Sequence, residues 1–112
     1  MHELALSQAI ADTTVRHARG RPVSTVHVRV GHLRQVVPDS LVFCWQLLTD
    51  DSELAGAELQ IDEVPAVVRC SACGEESTLA APVLACLACG SFDVALQTGD
   101  ELLIEAIEVL GV

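Results

Sequence analysis

Apolar positions follow two rhythms in turn along this chain. From Leu4 to Ala18 the spacing predicts a helix, with Leu6, Ile10 and His17 near one face and Ala9 and Thr13 beside them. Arg16 and Arg19 suit its C-terminal end, Gly20 is the expected C′ residue, and Pro22 prevents continuation. "STVHVRV" then alternates: Val26, Val28 and Val30 point one way, and Thr25, His27 and Arg29 the other, as in a half-buried strand. Gly31 and His32 lead into a loop. "PDSLVFCWQLL" returns to the helical period, with Leu41, Cys44, Trp45 and Leu48 at i, i+3, i+4 and i+7 and Asp39 or Ser40 as the cap. "AELQIDEV" alternates again, Ala57, Leu59 and Ile61 inward and Glu58, Gln60 and Asp62 outward. The last stretch, "GDELLIEAIEVLGV", fits both periods. Glu101, Glu105 and Glu108 at i, i+4 and i+7 favour an amphipathic helix, while Leu102, Ile104 and Ala106 also fit a strand; on pattern alone helix is preferred.

With 112 residues, these elements make one or two small units. Apolar residues are 51% of the chain, with one Trp and no Tyr, so the core must be aliphatic. Chains of this size bury only about two-thirds of their unfolded surface, and a metal staple would help. The charge narrows the partners. The sequence has six Arg, no Lys and sixteen Asp plus Glu, a formal −10. Such a surface repels nucleic acid and anionic membranes, and suits cationic metals and basic protein surfaces. No apolar run approaches the roughly 20 residues that span a bilayer, and the start lacks the basic and apolar regions of a signal peptide. The expectation is a cytoplasmic protein. Disulfides are uncommon there, so its five cysteines point to a metal.

Four of the five are paired. "CSACG" (Cys70 and Cys73) and "CLACG" (Cys86 and Cys89) are two copies of C-x-x-C-G. Each turn can offer two thiolates to one ion, and the glycine relieves the tight knuckle at positive φ. Together they predict a tetrahedral four-sulfur site for Zn²⁺, with a rubredoxin-like iron centre or a pair of redox disulfides as alternatives. Four thiolates leave no open position, so the site is structural and not catalytic. Zinc would add −4 + 2 = −2 to the charge and would fold the segment from Arg69 to Leu96, which is poor in apolar residues. Arg69 stands where it can offset some of that charge. Cys44, on the apolar face of the second helix, reads as a small buried hydrophobe.

Of the four histidines, His17 reads as a helix-end residue, His27 as a solvated strand residue and His32 as a loop residue. His2 differs because of its neighbours. A bulky second residue disfavours removal of Met1, so the Met1 amine, the His2 amide nitrogen and the His2 imidazole can converge on one ion. The Glu3 amide can add a fourth donor. Such a nitrogen field suits Ni²⁺ or Cu²⁺. Taken bare, "MHE" is weak evidence for a metal and reads first as a helix start, with Glu3 in the favourable first turn.

"MHE" at the start, "VRVGHL…VVPDSLVFCW", "ELQIDEVPAVVRC" and the two knuckles, in this order from Met1 to about Val109, resemble the HypA family of nickel metallochaperones for NiFe-hydrogenase maturation. The resemblance implies an α+β fold: two helices on a three-stranded sheet, residues 1–64 plus 98–112, with a zinc ribbon of residues 65–97 inserted. It makes "ELLIEAIEV" the returning strand, and the Pro65 and Thr98–Gly99 regions hinges. It implies His2 as nickel ligand with Met1 and Glu3 as further N-terminal donors, and Cys70, Cys73, Cys86 and Cys89 as ligands of a structural zinc. It also implies a nickel-handling GTPase of the HypB type and the NiFe-hydrogenase large subunit as partners. Some family members that also serve urease carry histidines flanking the knuckles, linked to pH response; this chain has none between Val64 and Val112, which speaks against acid-sensing at the zinc site and favours hydrogenase as client. The expected protein is a chaperone and not an enzyme, a monomer or a strand-swapped homodimer. The competing reading is a zinc-ribbon adaptor that binds a protein partner without transferring nickel.

Overall fold

The structure, a computed structural model, describes residues 3–110. The chain runs through α1 (Glu3–Ala18), β1 (Val23–Gly31), a 3₁₀ turn (His32–Arg34), α2 (Pro38–Thr49), β2 (Glu58–Val64), β3 (Ala66–Cys70), β4 (Glu76–Leu79), β5 (Val94–Thr98) and β6 (Leu102–Val109). The strands form two three-stranded sheets, ordered β2–β1–β6 and β4–β3–β5. This is the α+β architecture of two helices and a sheet, with a second small sheet inserted in sequence between β2 and β6.

The chain divides into two compact units. The first comprises Met1–Arg29, Val36–Asp62 and Leu103–Val112; the second comprises Val30–Gln35 and Glu63–Leu102. In the first, the alternation of β1 is realised as read: Val26 and Val28 are buried on one face, and Thr25, His27 and Arg29 are half-exposed on the other. Leu6, Ile10, Leu41, Trp45, Ala57 and Leu59 join them in the apolar interior. Trp45 is fully buried, and its indole N–H donates to the Ala57 carbonyl at 2.9 Å, so no polar atom is stranded there.

The buried stripe of α1 departs from the expected face. It passes through Leu6, Ser7, Ile10, Ala11, Thr14 and Ala18, while Ala9 and His17 are exposed. Small and hydroxyl residues hide here because their polar atoms are answered. Thr14 Oγ1 donates to the Ile10 carbonyl at 2.8 Å, and Ser7 Oγ donates to the Leu41 carbonyl of α2 at 3.3 Å. Gly20, with φ of 80°, follows the helix end as expected. The start of α2 also differs from expectation. Val37 is the N-cap, without a side-chain cap, and neither Asp39 nor Ser40 takes that role. Pro38 sits in the first turn, where its fixed φ suits the helix and its missing N–H costs nothing. Asp39 keeps an electrostatic role in that first turn. Cys44 is half-buried on α2, short of the full burial expected.

The C-terminal stretch is strand β6, as the family resemblance implied and against the helical preference of its pattern. Its partner is the central strand β1. Ser24 Oγ donates to the Glu108 carbonyl at 3.2 Å, and His27 Nε2 lies 2.7 Å from Glu108 Oε2. These long-range contacts hold an extended backbone whose own periodicity is ambiguous.

In the second unit, β3 is central. It pairs antiparallel with β4 (Val68 opposite Ser77) and with β5 (Val68 opposite Leu96), the latter ladder carrying an irregularity at Val67–Val68. The apolar cluster is small: Ala66, Val68 and Leu79, with Leu33, Val94 and Leu96 packed against it. Within this unit Thr98 Oγ1 donates to the Pro65 carbonyl at 2.9 Å. Gly31 meets the Gly99 turn so closely that a Cβ there would collide with the Gly99 carbonyl. Leu33 N–H donates to that carbonyl at 2.8 Å.

Candidate metal centre

The four knuckle cysteines converge. Their Sγ atoms all lie within 4.8 Å of one another. Cys70 faces Cys89, and Cys73 faces Cys86, each pair at 3.6 Å. A Zn–S bond of about 2.3 Å implies a tetrahedron edge of about 3.8 Å, so the donor set fits a tetrahedral thiolate-bound ion. All four are free thiols.

Local backbone chemistry explains the arrangement, and both knuckles use it identically. Gly74 N–H donates to the Cys70 carbonyl and Gly90 N–H to the Cys86 carbonyl, each at 2.9 Å. Both glycines have φ of 79°, the left-handed conformation that closes each turn. Cys70 N–H reaches the Glu75 carbonyl and Cys86 N–H the Ser91 carbonyl, again at 2.9 Å. Each turn thereby aims N–H groups at sulfur, Ala72 at Cys70 Sγ (3.3 Å) and Cys89 at Cys86 Sγ (3.4 Å). The first knuckle grows directly from the end of β3, while the second is anchored by a residue the sequence did not single out. Ser77, buried on β4, accepts the Leu87 N–H at 3.0 Å. The alternating burial of "ESTL", which turns Ser77 and Leu79 inward, was the available signal.

The four thiols are not equivalent. Cys70 and Cys86 are buried, Cys73 and Cys89 exposed. The Cys89 and Ala88 N–H groups stabilise the Cys86 thiolate and, against desolvation, hold its pKa down at about 6. The Cys73 and Ala72 N–H groups likewise lower that of Cys70. For Cys73, the Glu75 N–H favours the thiolate, but the Cys86 sulfur, desolvation and the other thiols outweigh it and push the pKa up to about 12. Cys89 is raised in the same way: the Ser91 N–H works against the rise, and Cys70 and Cys86 drive it. Arg69, next to Cys70 in the chain, has a partner of its own. Its guanidinium is engaged by Glu76 at 3.0 Å across the β3–β4 pair.

Of the expected N-terminal donors, Met1 and His2 lie outside the described residues. Glu3 opens α1 as its first-turn acid. The other histidines are drawn into separate contacts. His27 pairs with Glu108, and His32 Nε2 lies 3.9 Å from Glu63 Oε1. His17 is exposed. Among the described residues, the four cysteines form the one group with the geometry to hold a metal.

Fold and site together define a small α+β protein with a four-cysteine ribbon able to hold a metal ion. Residues 1–109 match the family described as "Hydrogenase/urease nickel incorporation, metallochaperone, hypA". The chain is 39% identical over 109 residues to the hydrogenase maturation factor HypA of Geotalea uraniireducens, covering 97% of this chain and 99% of the relative. It is 41% identical over 113 residues to that of Desulfosudis oleivorans, covering 97% and 98%. Among solved structures, the solution structure of the Ni metallochaperone HypA from Helicobacter pylori shares its fold, with a TM-score of 0.68 over 100% of both chains at 20% identity. A second solution structure of a HypA protein matches with a TM-score of 0.60, covering 95% of this chain and 92% of the other. The chain belongs to the HypA family of nickel-incorporation metallochaperones for hydrogenase maturation. No described helix is long and apolar enough to cross a membrane.

Proposed function

We propose that this chain takes up Ni²⁺ at its N-terminus and passes it on for NiFe-hydrogenase maturation, acting by capture and release and not by catalysis. His2 is the nickel ligand, with Met1 and Glu3 supplying further N-terminal donors. Cys70, Cys73, Cys86 and Cys89 hold a structural Zn²⁺. The nickel part is residues 1–64 with 98–112, and the zinc part residues 65–97. The observation that carries this reading is the closed four-thiolate centre in a member of a nickel-incorporation family. A saturated sulfur tetrahedron offers no position from which cargo is exchanged, so nickel needs a second, open site. A terminal amine and an imidazole suit that task, because they release nickel on protonation. The recipients in this reading are a HypB-type GTPase and the hydrogenase large subunit, all in the cytoplasm. The absence of histidine between Val64 and Val112 supports hydrogenase over urease as client.

Metal analysis of the untagged protein, followed by Ni²⁺ titration, tests the proposal. One zinc and one further nickel per chain are expected. His2→Ala, or a single residue added before Met1, should abolish nickel binding and leave zinc in place. Nickel affinity that survives both changes would exclude the N-terminal site. A zinc-loaded wild type that takes no nickel would instead make the chain a zinc-ribbon adaptor. Visible colour in the purified protein would mark an iron centre.

A further inference from the structure

The second knuckle carries an unused apolar surface. Val83, Leu84, Leu87 and Phe92 are all exposed, Leu87 at 69% and Phe92 at 79%. They lie within ten residues of one another around Cys86 and Cys89, yet none belongs to the apolar cluster of that unit, which is built from Ala66, Val68 and Leu79. Several large apolar residues left exposed in one short segment are the kind of surface that marks an interaction site. Their backbone is held firmly: Cys86 N–H to the Ser91 carbonyl, Gly90 N–H to the Cys86 carbonyl, Leu87 N–H to Ser77 Oγ. The first of these bonds sets Cys86 beside Ser91 and so closes the loop on itself. A surface so pre-organised loses little conformational freedom when it is covered.

Charge identifies what covers it. From Ser71 to Leu102 there is no Lys, Arg or His, against Glu75, Glu76, Asp93, Asp100 and Glu101; the unit's other basic residues, His32 and Arg34, lie against Glu63 and the Asp100 carbonyl. The nearest preceding cation, Arg69, is paired with Glu76. A tetra-thiolate zinc site would add a further −2. Phosphate-bearing surfaces, nucleic acid and anionic lipid alike, are repelled by such a field. A second copy of this chain carries the same −10 and is repelled as well.

We propose that the Val83–Phe92 loop docks a partner protein whose contact surface carries arginine or lysine around an apolar depression, with Phe92 as the central anchor. This rests on the chaperone reading only for the choice of probes. The zinc-loaded full chain is titrated with the purified hydrogenase-maturation GTPase and, separately, with the purified hydrogenase large subunit. At least one should bind. The double substitution Leu84→Ser with Phe92→Ser should weaken that binding about tenfold or more. Raising salt from about 50 to about 500 mM should weaken it further, because the rim is electrostatic. Zinc stoichiometry checks that the variant is folded, and Phe92→Ser alone serves if the double variant loses zinc. Binding that is unchanged in the variant or insensitive to salt overturns the proposal. So does failure of both probes to bind wild type, self-association abolished by the substitutions, or binding to phosphatidylcholine vesicles. The nickel titration of the His2 variants is independent of all these outcomes, so the two proposals fail separately.

Discussion

Cys73 and Cys86 face each other at 3.6 Å and yet hold their protons very differently. Cys86 is stabilised as thiolate with its pKa near 6, and Cys73 is held protonated with its pKa near 12. Cys70 is lowered and Cys89 raised, so the metal-free site at pH 7 is a mixed set of thiolates and thiols. Zinc takes thiolates only, so binding must displace whatever protons remain. The expected release at pH 7 is about two to three protons, and affinity should fall by the same number of decades per pH unit on acidification. Calorimetry in buffers of different ionisation heat reads this directly; release of four protons would show that no thiol is pre-ionised. The C-x-x-C-G spacing makes the four ligands legible in the sequence. It does not reveal which two are buried and served by more N–H groups, because that follows from how each knuckle sits on its strands.

Trp45 shows how the elements of the first unit depend on one another. It lies on α2, but its indole N–H is answered by Ala57, at the entry to β2. Thr49 Oγ1 donates in turn to the Trp45 carbonyl at 2.7 Å. Trp45→Phe removes the donor, leaves a buried carbonyl unanswered and opens a small void; a loss of about 2–4 kcal/mol is expected in urea unfolding. A loss below about 0.5 kcal/mol would show that water replaces the bond at no cost. The helical and alternating patterns of α1, β1 and α2 were legible because one face of each is fully buried. β6 was not, because it is an edge strand whose apolar residues, Ile104 and Ile107 among them, are only half-buried. Glu105 and Glu108, with Glu101 just before the strand, then fit a helix as well as a strand. Similarly, the cap of α2 was misread because Pro38 starts the helix without side-chain help.

At the scale of the molecule, the two units differ in what holds them. The first has an interior of Leu41, Trp45, Val26, Val28 and Leu59. The second has a much smaller apolar cluster and four thiols placed for an ion. Chelation of zinc should therefore unfold the ribbon strands and leave the first unit intact. Far-ultraviolet circular dichroism should lose strand signal while Trp45 emission stays at its blue, buried position. A red shift of that emission on zinc removal would show that the first unit depends on the metal. The Gly31–Arg34 segment belongs to the ribbon's side of this division, tied to the Gly99–Glu101 turn by Gly31 N–H to the Glu101 carbonyl (2.7 Å) and Arg34 Nε to the Asp100 carbonyl (2.7 Å). Nothing in the local pattern of "GHLR" announces this, since its partners lie more than sixty residues away.

By itself the sequence determined the order of helices and strands up to β2, the four thiol donors, the excess of negative charge and the resemblance to a nickel-chaperone family. Those are properties of spacing and composition, and local periodicity suffices to express them. Only the tertiary structure decided that the last segment is a strand, that Ser77 anchors the second knuckle, that Arg69 answers Glu76 and that Phe92 is left uncovered. Each of these depends on which backbone groups and side chains meet across the fold, and hydrogen bonding between distant residues is not written in the order of neighbours.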